Sequence, residues 1–376
     1  MIDVPQPSGD SPARGIAMRP TVNDIAKEAG VSLATVDRVL NDRPGVRAKT
    51  VEAVRDAIRR IGYVRDVAAA NLARQRDYRL AFVLPDTDSQ FIRTLMDALT
   101  EAGRLSARLR TEVLLRRFPA EDPHALAGIL AGLPDAGVVG VALMAPETPV
   151  VRDAIRSLRQ KGLAVVALVS DLPNTERDHF VGIDNRAAGR TAAVLTGRFL
   201  GRGPARVMVL SDSMLLRESI ERRLGFDEVM QARFPQIEVL PSLETHGQRA
   251  LLHDILSQTL AQHPDIGGIY SLGSGQRALT SSLCDLGRAG QMVVIGHELT
   301  PHVRVSLESG AMDAVITQNV GHVVRSALRV LRAKSDRIPF DSSQEQIRIE
   351  IVIRENLPAS LPSGRGAEVS QAQHAG

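Results

Sequence analysis

At Arg79 the apolar pattern of this chain changes period, and no other feature limits the fold as much. From there on, short runs rich in Val, Ile and Leu alternate with stretches of helical spacing. Strands are expected at RLAFVLP (79–85), TEVLLRRF (111–118), GVVGVALM (137–144), LAVVALV (163–169), HFVGI (179–183), RVMVL (206–210), GGIYSL (267–272), MVVIG (292–296), DAVIT (313–317) and IRIEIVI (347–353). Helices are expected between most of them, for example over 91–107, 147–161, 187–201, 215–234, 246–262 and 319–333. Continuous apolar runs suit strands buried on both faces, and parallel sheets with a helix layer on each side supply that burial. So many strands exceed the roughly four to six of one sheet. The core is therefore expected to be two α/β lobes with a cleft between them.

Ahead of Arg79 the pattern is helical with short loops. Thr21 with Asp24 three residues on reads as an N-cap, and Val22, Ile25, Ala26 and Ala29 line one face up to Gly30. Ser32 is a second N-cap, followed by Leu33, Val36, Val39 and Leu40. A third helix, with Val51, Val54, Ile58 and Ile61, closes at Gly62. Three short helices, the first two joined by a glycine turn, make a helix-turn-helix unit. Charge marks the same segment. Residues 18–76 hold 12 Lys/Arg against 7 Asp/Glu, in a chain whose net charge is +3, so the rest is close to neutral. A positive head on a neutral body suits binding to a phosphate backbone.

Residues 1–17 and 358–376 are loose in composition and are expected to be disordered tails; the first lacks the basic start and apolar core of a signal peptide, so a cytoplasmic protein is expected. No run approaches the length of a membrane span. One cysteine, Cys284, leaves no disulfide framework and no cysteine zinc site. No tryptophan and 3% aromatics argue against single-strand binding by base stacking. The organisation read from the chain is a head at 18–64, a hinge helix and linker at 65–78, and a two-lobed core at 79–357.

A recognition helix projects the side chains of its first turns into the major groove while its rear face packs on its neighbours. Leu33, Ala34, Thr35 and Arg38 occupy those turns, Leu33 facing either the core or a base methyl. Arg38 is the candidate for bidentate readout of guanine. Asn41 and Tyr63, with the capping hydroxyls of Thr21 and Ser32, are candidates for phosphate contacts. The run D-I-A-x-x-A-G-V-S-x-A-T-V-x-R-V-L-N, then V-x-x-K-T, then I-G-Y, resembles the LacI/GalR family of bacterial transcription regulators. The resemblance implies a homodimer on a pseudo-palindromic double-stranded operator, with a hinge helix in V-A-A-A-N-L-A. Ala69 and Leu72 of that helix would enter the minor groove, Leu72 as an apolar wedge. Two residues depart from the pattern: Asp37 stands where the family usually has serine, and Val64 where it commonly has proline.

The body resembles the family's sugar-sensing core, which is similar to periplasmic sugar-binding proteins of type I. That resemblance implies a small sugar-like or polyol effector between the lobes, with no cofactor or metal. It places Asp86 and Phe91 at the first strand's end, Phe91 stacking on an apolar sugar face. Asp184 and Arg186 follow at the crossover, then Arg222 in E-R-R-L-G-F, Gly273, Glu298 where aspartate is usual, and Gln318. Polyhydroxylated ligands need charged bidentate partners and a flat apolar surface. Two other classes are weighed. A transporter's solute-binding protein would share the core but needs export. A dehydrogenase rests on G-S-G-Q-R-A (273–278), which imitates a dinucleotide fingerprint but sits deep in the core. H-E-L-T-P-H (297–302) departs from zinc-helix spacing, with Pro301 as a helix breaker, and no nucleophile–base pair is evident, so an enzyme is not expected.

Overall fold

A computed structural model of the chain describes residues 20–40, 43–63 and 77–359. Asn41, Ala69 and Leu72, the expected hinge helix, the first expected tail and residues 360–376 of the second lie outside the described residues. The chain divides into two compact units, 1–76 and 77–376.

The first unit holds helices α1 (Val22–Ala29), α2 (Leu33–Leu40) and α3 (Ala48–Ile61). The Asp24 carboxylate accepts both the Thr21 N–H (2.7 Å) and the Thr21 hydroxyl (2.8 Å), which starts α1. These bonds, the backbone one foremost, hold Asp24 below the usual carboxylate range. Gly30 at φ +64° ends α1 in the left-handed region, where a side chain would be strained. Ile25, Val36, Val39, Val54 and Ala57 form the small core.

In the second unit, β1 (Tyr78–Asp86), β2 (Thr111–Pro119), β3 (Gly140–Leu143), β4 (Ala164–Leu168) and β5 (His179–Val181) make a parallel sheet in the order β2-β1-β3-β4-β5. Side chains alternate faces along β1. Leu80, Phe82 and Leu84 join the cluster with α4 (Gln90–Ala107), while Ala81 and Val83 join that of α5 (Pro123–Gly132) and α6 (Pro149–Gln160). After β5 the chain crosses into α7 (Asn185–Leu200) and a second sheet. That sheet is β6 (Ala205–Ser211), β7 (Ile237–Glu244), β8 (Ile266–Ser271), β9 (Val293–His297), β10 (Ala314–Thr317) and β11 (Glu350–Val352), ordered β11-β10-β9-β8-β6-β7. Helices α8 (Arg217–Arg233), α9 (Arg249–Gln262), α10 (Gln276–Asp285) and α11 (Pro301–Glu308) cover it together with α7. Helix α12 (Val320–Ser335) then returns to the first lobe, and the chain crosses once more to β11. The lobes are thus joined by three passages of the chain.

The two-lobed parallel architecture is the one expected, with instructive differences. β11 pairs antiparallel with β10, because the chain reaches it from the other lobe and not through a βαβ turn. β7 was absent from the strand expectations: it is an edge strand with mixed polarity, and Pro241 is tolerated there because one side of the strand is unpaired. α5, α10 and α11 fall between expected strands, where helical segments are expected. Pro301 starts α11 instead of breaking a helix, with the Thr300 hydroxyl accepting the Val303 N–H.

Candidate effector and DNA-reading sites

Two helices of the second lobe meet unusually closely. A Cβ on Gly189 of α7 would lie 2.0 Å from the Arg222 carbonyl oxygen, and one on Gly225 of α8 would lie 2.0 Å from that of Arg186. Each glycine therefore accommodates the other helix's backbone. This crossing brings Arg222 to the first turn of α7, where its Nε–H donates to Asn185 Oδ1 (2.8 Å). Its Nη1 donates to the Leu272 carbonyl just past β8 (2.7 Å), and Nη2 lies 3.8 Å from Glu298 just past β9. Gln318, just past β10, donates from Nε2 to Glu298 Oε1 (3.1 Å). The carboxyl ends of three neighbouring strands and two helices therefore converge on one guanidinium, the usual place for a ligand in open α/β sheets.

The cluster is buried: Asn185, Arg222, Glu298 and Gln318 are 2%, 4%, 8% and 3% exposed. Burial pushes the Glu298 carboxyl up to about 7, against the opposing pull of Arg222 and Gln318. Glu298 also sits at φ +67°, a conformation costing a non-glycine residue about 1–3 kcal/mol. Glu298 Oε2, Gln318 Oε1 and Gln276 Oε1 are buried acceptors without a hydrogen-bond partner among the described residues. Beneath them Tyr270 and His297, both fully buried, share a 2.8 Å hydrogen bond, and Tyr270 stacks on Phe226 at 4.5 Å. Burial raises the tyrosine and lowers the histidine, so both are neutral near pH 7.

Of the residues singled out from sequence, Arg222, Glu298 and Gln318 come together and the rest scatter. Asp184 caps α7 by accepting the Ala187 N–H (2.8 Å), and Arg186 pairs with Glu228 on the outer side (3.0 Å). Asp86 pairs with Arg117 on β2. Phe91, expected to stack on a sugar face, is 8% exposed and belongs to an apolar cluster that runs through both lobes. Gly273 makes room for Asp212, whose Oδ2 accepts both the N–H and the hydroxyl of Ser274 at 2.8 Å. That carboxylate occupies the glycine loop where a dinucleotide would need its pyrophosphate, and like charges exclude each other there. Sequence reasoning missed Asn185, Gln276, Tyr270 and His297. It also missed the contact between lobes in which Ser170, just past β4, donates to Glu218 of α8 (2.6 Å, buried). Val169, before that serine, has φ +65°, a genuine outlier for a β-branched residue.

On the head, α2 buries Val36 and Val39 and leaves Leu33, Ala34 and Arg38 exposed, Leu33 by 50%. Leu33 thus faces outward. The Ser32 and Thr35 hydroxyls bond each other (2.9 Å), and Ser32 accepts the Thr35 N–H (3.2 Å). Tyr63 packs partly buried against the head's core.

Residues 80–336 match the model of the periplasmic binding protein domain, and residues 21–66 match that of the bacterial regulatory proteins of the lacI family. The chain belongs to this family, in the form that joins such a head to such a core. The ribose operon repressor of Halalkalibacterium halodurans is 24% identical over 347 residues, spanning 89% of this chain and 96% of that one. The transcriptional regulator GntR of Pseudomonas aeruginosa is 28% identical over 67% of this chain and 71% of its own. The regulator RegA of Clostridium saccharobutylicum is 45% identical over 74 residues, only 20% of this chain and 22% of that protein. Among solved structures, a glucose-galactose binding protein of Geobacillus stearothermophilus superposes with a TM-score of 0.67 at 18% identity, over 75% of this chain and 99% of that one. A solute-binding protein of Burkholderia graminis in complex with D-arabinose gives 0.67 at 21% identity, over 76% and 98%. These likenesses show the fold of the core. Among the described residues no helix is long and apolar enough to cross a membrane.

Proposed function

We propose that this protein is a cytoplasmic, homodimeric repressor that binds a pseudo-palindromic operator through α2 and loses or gains affinity when a small sugar or polyol enters its core. The observation that carries the reading is the buried Arg222–Asn185–Glu298–Gln318 cluster with its unpartnered acceptors, on one chain with a positive helix-turn-helix head. A buried acceptor without a donor costs about 1–3 kcal/mol. Hydroxyl groups of a polyol supply such donors. A relative named as a repressor and a neighbour holding D-arabinose support the same reading.

The second lobe would hold the ligand at its strand ends, and closure would engage the first lobe through contacts such as Ser170–Glu218. A ligand that prefers one lobe arrangement shifts the population toward it, and coupling to the head follows by linkage. Exposed apolar side chains on α8, Ile220 at 41% and Leu224 at 53%, support a dimer contact there. A symmetric pair would place two recognition helices on two half-sites. Selection of genomic DNA by the purified chain, with and without a mixture of neutral sugars and polyols, tests this. Recovery of a pseudo-palindrome whose yield changes with the mixture is the expected result. Enrichment of no sequence in either condition would defeat the regulator reading.

A further inference from the structure

The acidic side chains of the head have distinct employments. Asp24 anchors the start of α1, Glu28 pairs with Arg60 across to α3 (3.1 Å), and Asp56 pairs with Arg59 within α3. Asp37 is different. It is the one carboxylate of α2, one residue after buried Val36 and beside exposed Arg38, and half of its side chain remains exposed. Three and four residues separate Ala34 from Asp37 and Arg38, so the three share the outward side of the helix. Arg43 comes back to it: the Arg43 N–H donates to the Arg38 carbonyl (2.8 Å), and Nη1 lies 3.2 Å from Asp37 Oδ2.

An exposed pair of this kind adds little to stability, so fold stability gives little reason for it. DNA chemistry gives a better one. Phosphates present acceptors only, and a carboxylate near them is repelled. In the major groove the only donors are the exocyclic amino groups of cytosine N4 and adenine N6, and a carboxylate characteristically accepts from cytosine. It repels the N7 and O6 of guanine and the O4 of thymine. Resting on the operator-binding reading above, we propose that Asp37 is a base-reading residue that accepts from a cytosine amino group in each half-site. Arg43 acts as its positioning residue, holding the carboxylate's direction and offsetting its charge against the backbone.

The test is selection from random duplex DNA with the full chain, followed by affinities over a series of salt concentrations. Wild type should fix a cytosine in each half-site. Asp37→Ser should lose that preference by about ten- to a hundredfold and keep the others. Arg43→Ala should broaden the same position, and Arg43→Lys should restore it in part. Because the pair is exposed, thermal unfolding should be nearly unchanged. If Asp37→Ser instead tightens binding to all sequences alike, or leaves the selected site intact, Asp37 reads no base and the proposal falls. If Arg43→Ala only weakens all sequences uniformly, Arg43 is a phosphate contact and its positioning role falls. If wild type enriches nothing, the operator-binding reading itself fails, an outcome distinct from the loss of one base preference.

Discussion

The two lobes repeat one architecture and use their strand ends in opposite ways. In the second, Arg222, Glu298, Gln318 and Asn185 are drawn out of water into a single network. In the first, the carboxylate at the end of β1 is Asp86, whose side chain is 58% exposed and paired with Arg117, itself 41% exposed. Burial decides what such charges do. A guanidinium with three protein partners is fixed before any ligand arrives, whereas a solvated pair can rearrange at little cost. On the function proposed above, the difference would give selection of the ligand to the second lobe and closure to the first.

The comparison breaks most visibly at Arg222. Arg222→Ala leaves Glu298 and Asn185 buried without their cation, and a loss of about 3–5 kcal/mol is expected in denaturant unfolding. A loss below about 1 kcal/mol would mean that the cluster is solvated like the first lobe's pair. Next comes Gly225→Ala, which must part α7 from α8 and is expected to cost about 1–3 kcal/mol, the check being a weakened effector response together with a lower midpoint. An unchanged midpoint would show that the crossing relaxes freely.

Glu298 sharpens the contrast through pH. Its folded-state value of about 7 exceeds the unfolded value of about 4.5, so the native state holds the proton longer. Its contribution to stability is fully present below about pH 4.5 and is lost as pH rises toward 7. Comparing the wild-type unfolding curve with that of Glu298→Gln at pH 5 and pH 8 should therefore show the variant gaining relative stability at the higher pH. An equal difference at both would place the carboxyl in water. The smallest effect belongs to Asp86→Ala, expected within about 1 kcal/mol of wild type; a larger loss would erase the distinction between the lobes.

Much of this fold is legible along the chain, because burial on both sheet faces demands uninterrupted apolar runs and those runs are visible. β7 was hidden because its edge position tolerates mixed polarity, so no continuous apolar run marks it. The site was legible where charge is rare. Arg222, Glu298 and Gln318 were picked out by the family resemblance, while Asn185 and Gln276 look like any surface amide until burial is known. Phe91 illustrates the converse: the sequence does not distinguish an aromatic that faces a ligand from one that completes a core, and this one is buried. The glycine pair 189 and 225 gave no local signal, since the need for it arises only when two helices 36 residues apart in register are superposed.

The three passages between the lobes carry a mechanical consequence. A body joined by one thread can drift and twist without limit, but three threads leave mainly a rotation about the line on which they lie. Residues near that line barely move, while those far from it sweep the widest arc. The chain's own routing thus acts as a bearing, turning a small angular change at the cleft into a larger linear displacement at the distant end of either lobe.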